Sequence, residues 1–295
     1  MYVITGATGK VGGGIAERLL KAGKQVKAIA RSKDKLAALA NQGAQITEGN
    51  MEDAVFLAKN FSGAECVFLM VPPNLAAEDI GAHYDKMGET LIKAMKESGV
   101  KSAIVLSSVG ADMPKGNGPV AGLYRFEQRI NAALPDVDVL FLRPGYFMEN
   151  QFASIPMIKG MGINGGALRG DLAFPQIATR DIAEHAAARM QKKDWKGKVV
   201  QDLLGPRHAT MDEATAALGK AIGKPDLKYV QFPYDQALQG MLGAGISKSV
   251  GESFIEMNTG FNEGTISIPT RTAANTTATT VDQFAQSFAQ AYQAS

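Results

Sequence analysis

The segment Met1-Tyr2-Val3-Ile4-Thr5-Gly6-Ala7-Thr8-Gly9-Lys10-Val11-Gly12 opens the chain and is the part of the sequence that most clearly indicates its fold. Its second to fourth residues predict a short buried strand, and apolar residues at positions 11, 15 and 19 predict a helix. Glycines at 6, 9 and 12 therefore lie where the strand turns into the helix. Such a turn offers unpaired N–H groups and partial positive charge, and its glycines lack the Cβ atoms that would keep a pyrophosphate away.

The order of strand, turn and helix favours a phosphate site over a turn that is glycine-rich only for backbone freedom. The spacing is Gly-x-x-Gly-x-x-Gly, whereas most dinucleotide-binding dehydrogenases have Gly-x-Gly-x-x-Gly. The residues predicted to hold the pyrophosphate are Gly6, Thr8, Gly9, Lys10, Val11 and Gly12.

The end of the second predicted strand indicates which dinucleotide the turn would bind. Residues 25–30 form this strand, and Arg31 follows it. In a dinucleotide-binding unit a carboxylate at this place accepts hydrogen bonds from the ribose of NAD, whereas an arginine accommodates the 2′-phosphate of NADP. Arg31, with Lys33 and Lys35 close by, therefore favours NADP(H) over NAD(H), and the alternative for Arg31 is a solvated charge at a strand end.

Strands and helices alternate through the first half of the chain. Predicted strands cover residues 2–4, 25–30, 44–48, 66–71, 101–106 and 137–142. The continuous apolar run at 66–71 is typical of a strand covered on both faces by helices. This pattern predicts the α/β class, with right-handed crossovers and a doubly wound parallel sheet whose ligand crevice lies at the carboxyl ends of the strands.

Beyond residue 150 the alternation is less regular. We predict a dinucleotide-binding domain over 1–150 and a smaller α/β substrate-binding part over 151–295, interleaved with the first through a strand and a helix near 173–204. Two helices that break near residues 243–245 and a terminal helix at 281–292 are also expected.

Composition and charge exclude several classes of function. The 295 residues are 45% hydrophobic and 20% charged, and the net charge of +2 comes without a basic tract for nucleic acid. No apolar run is long enough to cross a membrane, and a strand starting at Tyr2 leaves no room for a signal peptide, so a cytoplasmic location is expected. Isolated histidines give no metal-binding pattern. The single cysteine, Cys66, is expected in the core, and Trp195, near three lysines, at the surface.

Several segments resemble the NmrA-like family of atypical short-chain dehydrogenases/reductases. The resemblance is carried by the glycine turn, Arg31, Ser107-Ser108, the segment Arg143-Pro144-Gly145-Tyr146-Phe147-Met148-Glu149-Asn150 and residues 178–183. It implies a Rossmann-like domain that binds NAD(P), usually NADP(H), and a smaller C-terminal part that closes over a substrate cleft.

The resemblance also implies cofactor contacts by position. The glycine turn would hold the pyrophosphate, and Arg31 the 2′-phosphate. Asn50 and Met51, after the third predicted strand, are expected beside the adenine ring. The contacts implied for the ribose and nicotinamide are Val71, Pro72, Ser107, Pro144, Tyr146 and Phe147.

Position 128 departs from the catalytic pattern of typical short-chain dehydrogenases. In their Tyr-x-x-x-Lys pair the lysine lowers the pKa of the tyrosine, so that the phenol can exchange a proton with a carbonyl or alcohol. Here Gln128 follows Tyr124, and no tyrosine of the chain has a lysine four residues later. Tyr124, Tyr146 and Ser107 are therefore only weak catalytic candidates. Ser107 lies outside any Gly-x-Ser-x-Gly elbow, which favours a hydrogen-bonding role.

Hydride transfer needs no such pair, because the cofactor carries the chemistry and a quinone can take its protons from water. We therefore expect an NADP(H)-dependent oxidoreductase acting on a quinone-like or other small conjugated acceptor. The alternative is a non-catalytic NADP(H) sensor that acts through a regulatory protein partner. A homodimer, and an epimerase or lyase on the same sheet, also remain open.

Overall fold

Seven parallel strands form the central sheet of the protein, whose computed structural model describes all 295 residues. The chain contains twelve strands: β1 (Tyr2–Ile4), β2 (Val26–Ala30), β3 (Gln45–Glu48), β4 (Cys66–Leu69), β5 (Ser102–Leu106), β6 (Asp138–Pro144), β7 (Tyr146–Phe147), β8 (Asn164–Gly166), β9 (Phe174–Ile177), β10 (Lys198–Leu203), β11 (His208–Ala209) and β12 (Tyr229–Gln231). The order across the central sheet is β10-β6-β5-β4-β1-β2-β3.

Eleven α-helices connect and cover these strands. They are α1 (Lys10–Lys21), α2 (Ala37–Asn41), α3 (Ala54–Phe61), α4 (Ile80–Ser98), α5 (Val120–Ala133), α6 (Ile155–Met161), α7 (Thr179–Lys192), α8 (Met211–Ala221), α9 (Tyr234–Gly243), α10 (Lys248–Asn262) and α11 (Val281–Ala294). Two short 3₁₀ segments, Asp34–Leu36 and Met148–Ser154, precede α2 and α6. None of these helices combines the length and apolarity that a membrane crossing requires.

Both faces of the central sheet are covered, which confirms the predicted doubly wound α/β class. Along β1, Tyr2 and Ile4 pack into one buried cluster with α1, α2 and α7, whereas Val3 packs into a second cluster with α3, α4 and α5. Successive side chains of a strand point to opposite faces, so a strand buried on both must be apolar throughout. The strand order reverses between β1 and β4, which places the ligand crevice at the carboxyl ends of these strands.

The C-terminal half contributes to the central sheet and also builds its own layer. Strand β10 pairs with β6 along six residues and completes the edge of the sheet. Two smaller sheets, β11-β9-β7 and β12-β8, lie outside it. A third buried cluster joins α6, α8 and α11. The predicted strand near 198–204 is thus present, while the division at residue 150 stays a prediction.

The surroundings of Cys66 and Trp195 test two expectations about burial. Cys66 is fully buried, as predicted, and burial raises the pKa of its thiol to about 12. The expectation that Trp195 lies at the surface is wrong, because only 4% of it is exposed and it belongs to the cluster around α1 and α7. The Arg189 guanidinium lies 5.7 Å from the centre of the indole. The lysines close to Trp195 in the sequence therefore did not indicate whether its side chain faces solvent or the core.

Candidate functional site

The turn between β1 and α1 leaves the amino terminus of a helix open. Gly6 adopts a left-handed conformation with φ +62°, and the Gly9 N–H donates to the Gly6 carbonyl at 2.9 Å. No side chain caps α1, so the amides of Lys10, Val11 and Gly12 have no acceptor within the chain. These are the donors that a bound anion would use.

The space around the turn explains its glycines. A Cβ at position 12 would lie 2.5 Å from the carbonyl oxygen of Gly6, and one at position 9 would lie 3.3 Å from the same atom. At Gly14 a Cβ would lie 2.8 Å from the Cβ of Ala183, so this glycine lets α1 pack closely on α7. The free amides and the absence of Cβ atoms fit a pyrophosphate group.

A polar cleft of about 490 Å³ adjoins the turn. Thr8, Gly9 and Lys10 form one wall, and the starts of α2 and α7 form the others together with α11. Its cationic side chains are Lys10, Arg18, Lys35 and Arg180. The ammonium group of Lys10 lies 4.8 Å from the centre of the Phe152 ring. Four of the predicted cofactor-binding residues thus line one cleft: Thr8, Gly9, Lys10 and Lys35.

The other residues predicted for the adenosine half lie at the ends of β2 and β3. Arg31 directly follows β2, and its side chain is exposed. The Asn50 side chain accepts the Glu52 N–H at 3.0 Å, which closes a turn after β3. Met51 is only 6% exposed and packs in the core. Arg31 is therefore free to reach a ligand, whereas Met51 offers mainly its backbone.

A second cleft, of about 320 Å³, lies at the carboxyl ends of β5 and β6. Ser107, Pro144, Tyr146 and Phe147 line it, which brings together four of the residues predicted near the nicotinamide. Val71 and Pro72 immediately precede its first lining residue, Pro73. Its walls are mainly apolar and come from distant parts of the chain: Leu75, Ile80, Val120, Leu123, Phe174, Val250, Phe254, Met257 and Phe261. Tyr124, a predicted catalytic candidate, does not line this cleft.

Helix α10 covers the second cleft and is anchored to the segment before α4. The Ser247 hydroxyl donates to the Ala77 carbonyl at 2.6 Å, and the Ile80 N–H donates to the Ser249 hydroxyl at 3.1 Å. These two hydrogen bonds hold α10 over the apolar walls of the cleft. This cover was not predicted residue by residue, because the sequence gives no signal that pairs positions so far apart.

Beneath the cleft, Ser107 contacts a buried ion pair. The Ser107 hydroxyl donates to Glu127 at 2.5 Å, and Arg143 donates to both oxygens of the same carboxylate, at 3.0 and 2.5 Å. The side chains of Glu127 and Arg143 are 2% and 13% exposed. Burial lowers the pKa of Arg143, but the adjacent Glu127 carboxylate outweighs this and raises it overall. Glu127 was missed by sequence reasoning, although it stands on the buried face of α5 beside Phe126 and Ile130.

Tyr146 and Asn150 supply further polar groups of the second cleft. Burial raises the pKa of the Tyr146 phenol to about 12, and a hydrogen bond with the Asn150 side chain only partly opposes this. The ring also meets Phe174 edge to face, with 5.5 Å between centroids. Tyr146 is therefore neutral at physiological pH and able to donate a hydrogen bond, but it is a weak acid.

Glu149 closes the amino terminus of α7. Its carboxylate accepts the Thr179 N–H at 3.0 and 2.9 Å and the Thr179 hydroxyl at 2.5 Å. We expect Glu149→Ala to lower the free energy of unfolding by about 1–2 kcal/mol, since α7 would lose its cap. Urea denaturation measures this. Glu89→Ala, which removes an exposed partner of Arg129, is the matched control and should change stability by less than about 0.5 kcal/mol. Equal effects would contradict the capping role.

A parallel sheet with a strand-order reversal, an uncapped glycine turn and an apolar cleft at the same end of the strands defines a Rossmann-like dinucleotide-binding protein. The chain belongs to the NmrA-like family, whose model matches residues 2–285. This confirms the resemblance inferred from the sequence.

Curated relatives and solved structures agree with this family. The chain is 28% identical to the NAD(P)H azoreductase of Xenophilus azovorans over 259 residues, covering 87% of this chain and 86% of that protein. It is 27% identical to quinone oxidoreductase 2 of Escherichia coli over 268 residues, or 90% and 89% of the two chains. The crystal structure of the NADPH-dependent quinone oxidoreductase of Escherichia coli with NADPH has a TM-score of 0.74 and 25% identity, and covers 97% of this chain and 99% of that one.

Proposed function

We propose that this protein is an NADPH-dependent reductase that delivers a hydride to a quinone-like or other small conjugated acceptor. The observation that carries the proposal is the apolar cleft at the ends of β5 and β6, on the same edge of the sheet as the glycine turn. The names of the relatives, an azoreductase and a quinone oxidoreductase, support it. Both names describe reduction of a conjugated acceptor.

The preference for NADPH over NADH rests on charge. Arg31 stands where a 2′-phosphate would lie, and Lys35 borders the neighbouring cleft. No carboxylate occupies the place after β2 where one would bind the ribose of NAD. The free amides of Lys10, Val11 and Gly12 would hold the pyrophosphate.

The bound nicotinamide would supply the hydride, and the protein would supply position and a dry site. Ser107 and the Pro144 to Phe147 turn form the floor of the second cleft, and α10 covers it. Tyr146, kept neutral by burial, can donate a hydrogen bond to an acceptor carbonyl. The protons that complete a hydroquinone can come from water.

The pH dependence of turnover tests the role given to Tyr146. Because its pKa is raised to about 12, the phenol stays protonated below about pH 10, and its titration should add no limb to the profile between pH 6 and 9. Tyr146→Phe should keep the same profile and lower kcat by no more than about threefold. A general acid would instead contribute about 100-fold or more. Steady-state rates over this pH range decide between the two.

The proposal as a whole is tested with a panel of acceptors. The absorbance of NADPH is followed with the protein and a naphthoquinone, a benzoquinone or an azo dye, and protein-dependent oxidation is expected with at least one of them. A heat-denatured sample is the control for direct reduction. Tight binding of NADPH without turnover of any acceptor would contradict the reductase and favour the non-catalytic sensor.

A further inference from the structure

We propose that Glu127, anchored by Arg143, fixes the Ser107 hydroxyl as a hydrogen-bond acceptor for the nicotinamide carboxamide. Glu127 is then a positioning residue, and Ser107 orients the ring instead of giving a proton to the acceptor. The inference rests on the proposed function, because it takes the second cleft as the place of the nicotinamide.

The direction of the Ser107 hydrogen bond follows from its partner. A hydroxyl has one proton and two lone pairs, whereas an ionised carboxylate can only accept. The Ser107 hydroxyl lies 2.5 Å from Glu127 Oε1, so its single proton points away from the cleft. Because Ser107 lines the cleft, its lone pairs remain for a ligand there.

Arg143 pairs with the Glu127 carboxylate and holds it in one orientation. The guanidinium binds both carboxylate oxygens, and its Nη2 also donates to the Ala111 carbonyl at 3.2 Å. Such bidentate pairs combine strength with fixed geometry. With Glu127 only 2% exposed, water does not compete for these contacts. The three side chains come from β6, α5 and the end of β5, so the arrangement is built into the fold.

A ligand group that hydrogen-bonds to the Ser107 oxygen must be a donor, because the Ser107 proton is already engaged by Glu127. The carbonyl oxygens of a quinone are acceptors, and they gain nothing from an oriented lone pair. The carboxamide of a nicotinamide has N–H donors, and such a donor left without a partner in an apolar cleft is costly. Ser107, whose proton is engaged by Glu127, offers such an acceptor at the wall of the cleft and would fix the orientation of the ring.

Glu127→Gln removes one acceptor oxygen with almost no change in volume. Oε1 accepts from both Ser107 and Arg143 Nε, and Oε2 accepts from Arg143 Nη2. In either orientation the amide NH₂ group therefore meets a guanidinium N–H, and the side chain no longer fixes the Ser107 hydroxyl in one geometry. Ser107→Ala removes the contact altogether but keeps the buried Glu127–Arg143 pair. Its effect on binding can therefore be measured even where Glu127→Gln fails to fold.

The test compares two ligands on the same protein by calorimetry: NADPH, and 2′-phospho-ADP-ribose, which lacks the nicotinamide ring. We expect Ser107→Ala and Glu127→Gln each to weaken NADPH binding by about three- to tenfold, the size of one hydrogen bond. Binding of 2′-phospho-ADP-ribose should change by less than about twofold. The double variant should lose no more than Glu127→Gln alone. Glu89→Gln, at the exposed pair with Arg129, is the control.

Equal losses for both ligands would overturn the proposal, since they would mean a general structural effect or a contact with the ribose. Unchanged NADPH binding in both variants would overturn it as well. The readout is binding, so it is separate from the proposed function. A wild-type protein that binds NADPH but reduces no acceptor would contradict the reductase and would leave this comparison intact.

Discussion

The Gly12→Ala variant is expected to bind NADPH at least about 100-fold more weakly than the wild-type protein, a loss of about 2.7 kcal/mol. The added methyl group would lie 2.5 Å from the Gly6 carbonyl oxygen and 2.9 Å from its carbonyl carbon. Both distances are far below van der Waals contact, so the backbone of the turn must move. The amides at the start of α1 would then no longer converge on one anion.

Gly160→Ala provides the matched control for this variant. Gly160 lies in α6, and a Cβ there would have no heavy atom within 4 Å. The control should keep its NADPH affinity within about twofold and gain slightly in stability, because alanine is the better helix former. Calorimetric titration at 20 °C, with thermal unfolding of each variant alongside, measures both effects. Wild-type affinity in folded Gly12→Ala would contradict the pyrophosphate site.

Arg31→Asp is expected to reverse the choice of cofactor. NADPH affinity should fall by about 100-fold, because an attractive cation is replaced by an anion that repels the 2′-phosphate. NADH affinity should hold or rise, since a carboxylate at this place accepts hydrogen bonds from the ribose hydroxyls. Arg31 is exposed at the end of β2, so the change should leave the stability of the fold unaltered.

Lys24→Asp is the control with the same change of charge. Lys24 is exposed and precedes β2, at the opposite edge of the sheet from the crevice. Its effect on either cofactor should stay below about twofold at 0.15 M salt, where charges this far apart are screened. Titration of both variants with NADPH and NADH gives the comparison. Equal losses for the two cofactors in Arg31→Asp would show that Arg31 does not recognise the phosphate.

The parts of the fold that local sequence patterns determine were predicted. The apolar strands of the first half, such as Cys66–Leu69, follow from burial on both faces of the sheet. The glycine turn was recognised because its spacing and its place between strand and helix reflect one local geometry. The break between α9 and α10 was also predicted, and it lies between Gly243 and Lys248.

Features that depend on distant contacts could not be predicted. Glu127 meets Ser107 across 20 positions and Arg143 across 16, through elements that only the tertiary fold brings together. Glu149 caps a helix that starts 30 residues later. In each case the neighbouring residues in the sequence give no sign of the partner of the charged side chain, because the tertiary fold determines which group it contacts. The same reason explains the error at Trp195.

The measurement that tests the central claim most directly is calorimetric titration of the purified protein with NADPH and, separately, with NADH. We expect one site that binds NADPH at least about tenfold more tightly than NADH, a difference of about 1.4 kcal/mol. Binding of neither cofactor would contradict the proposed cofactor site, since the glycine turn would then have no role in binding a dinucleotide.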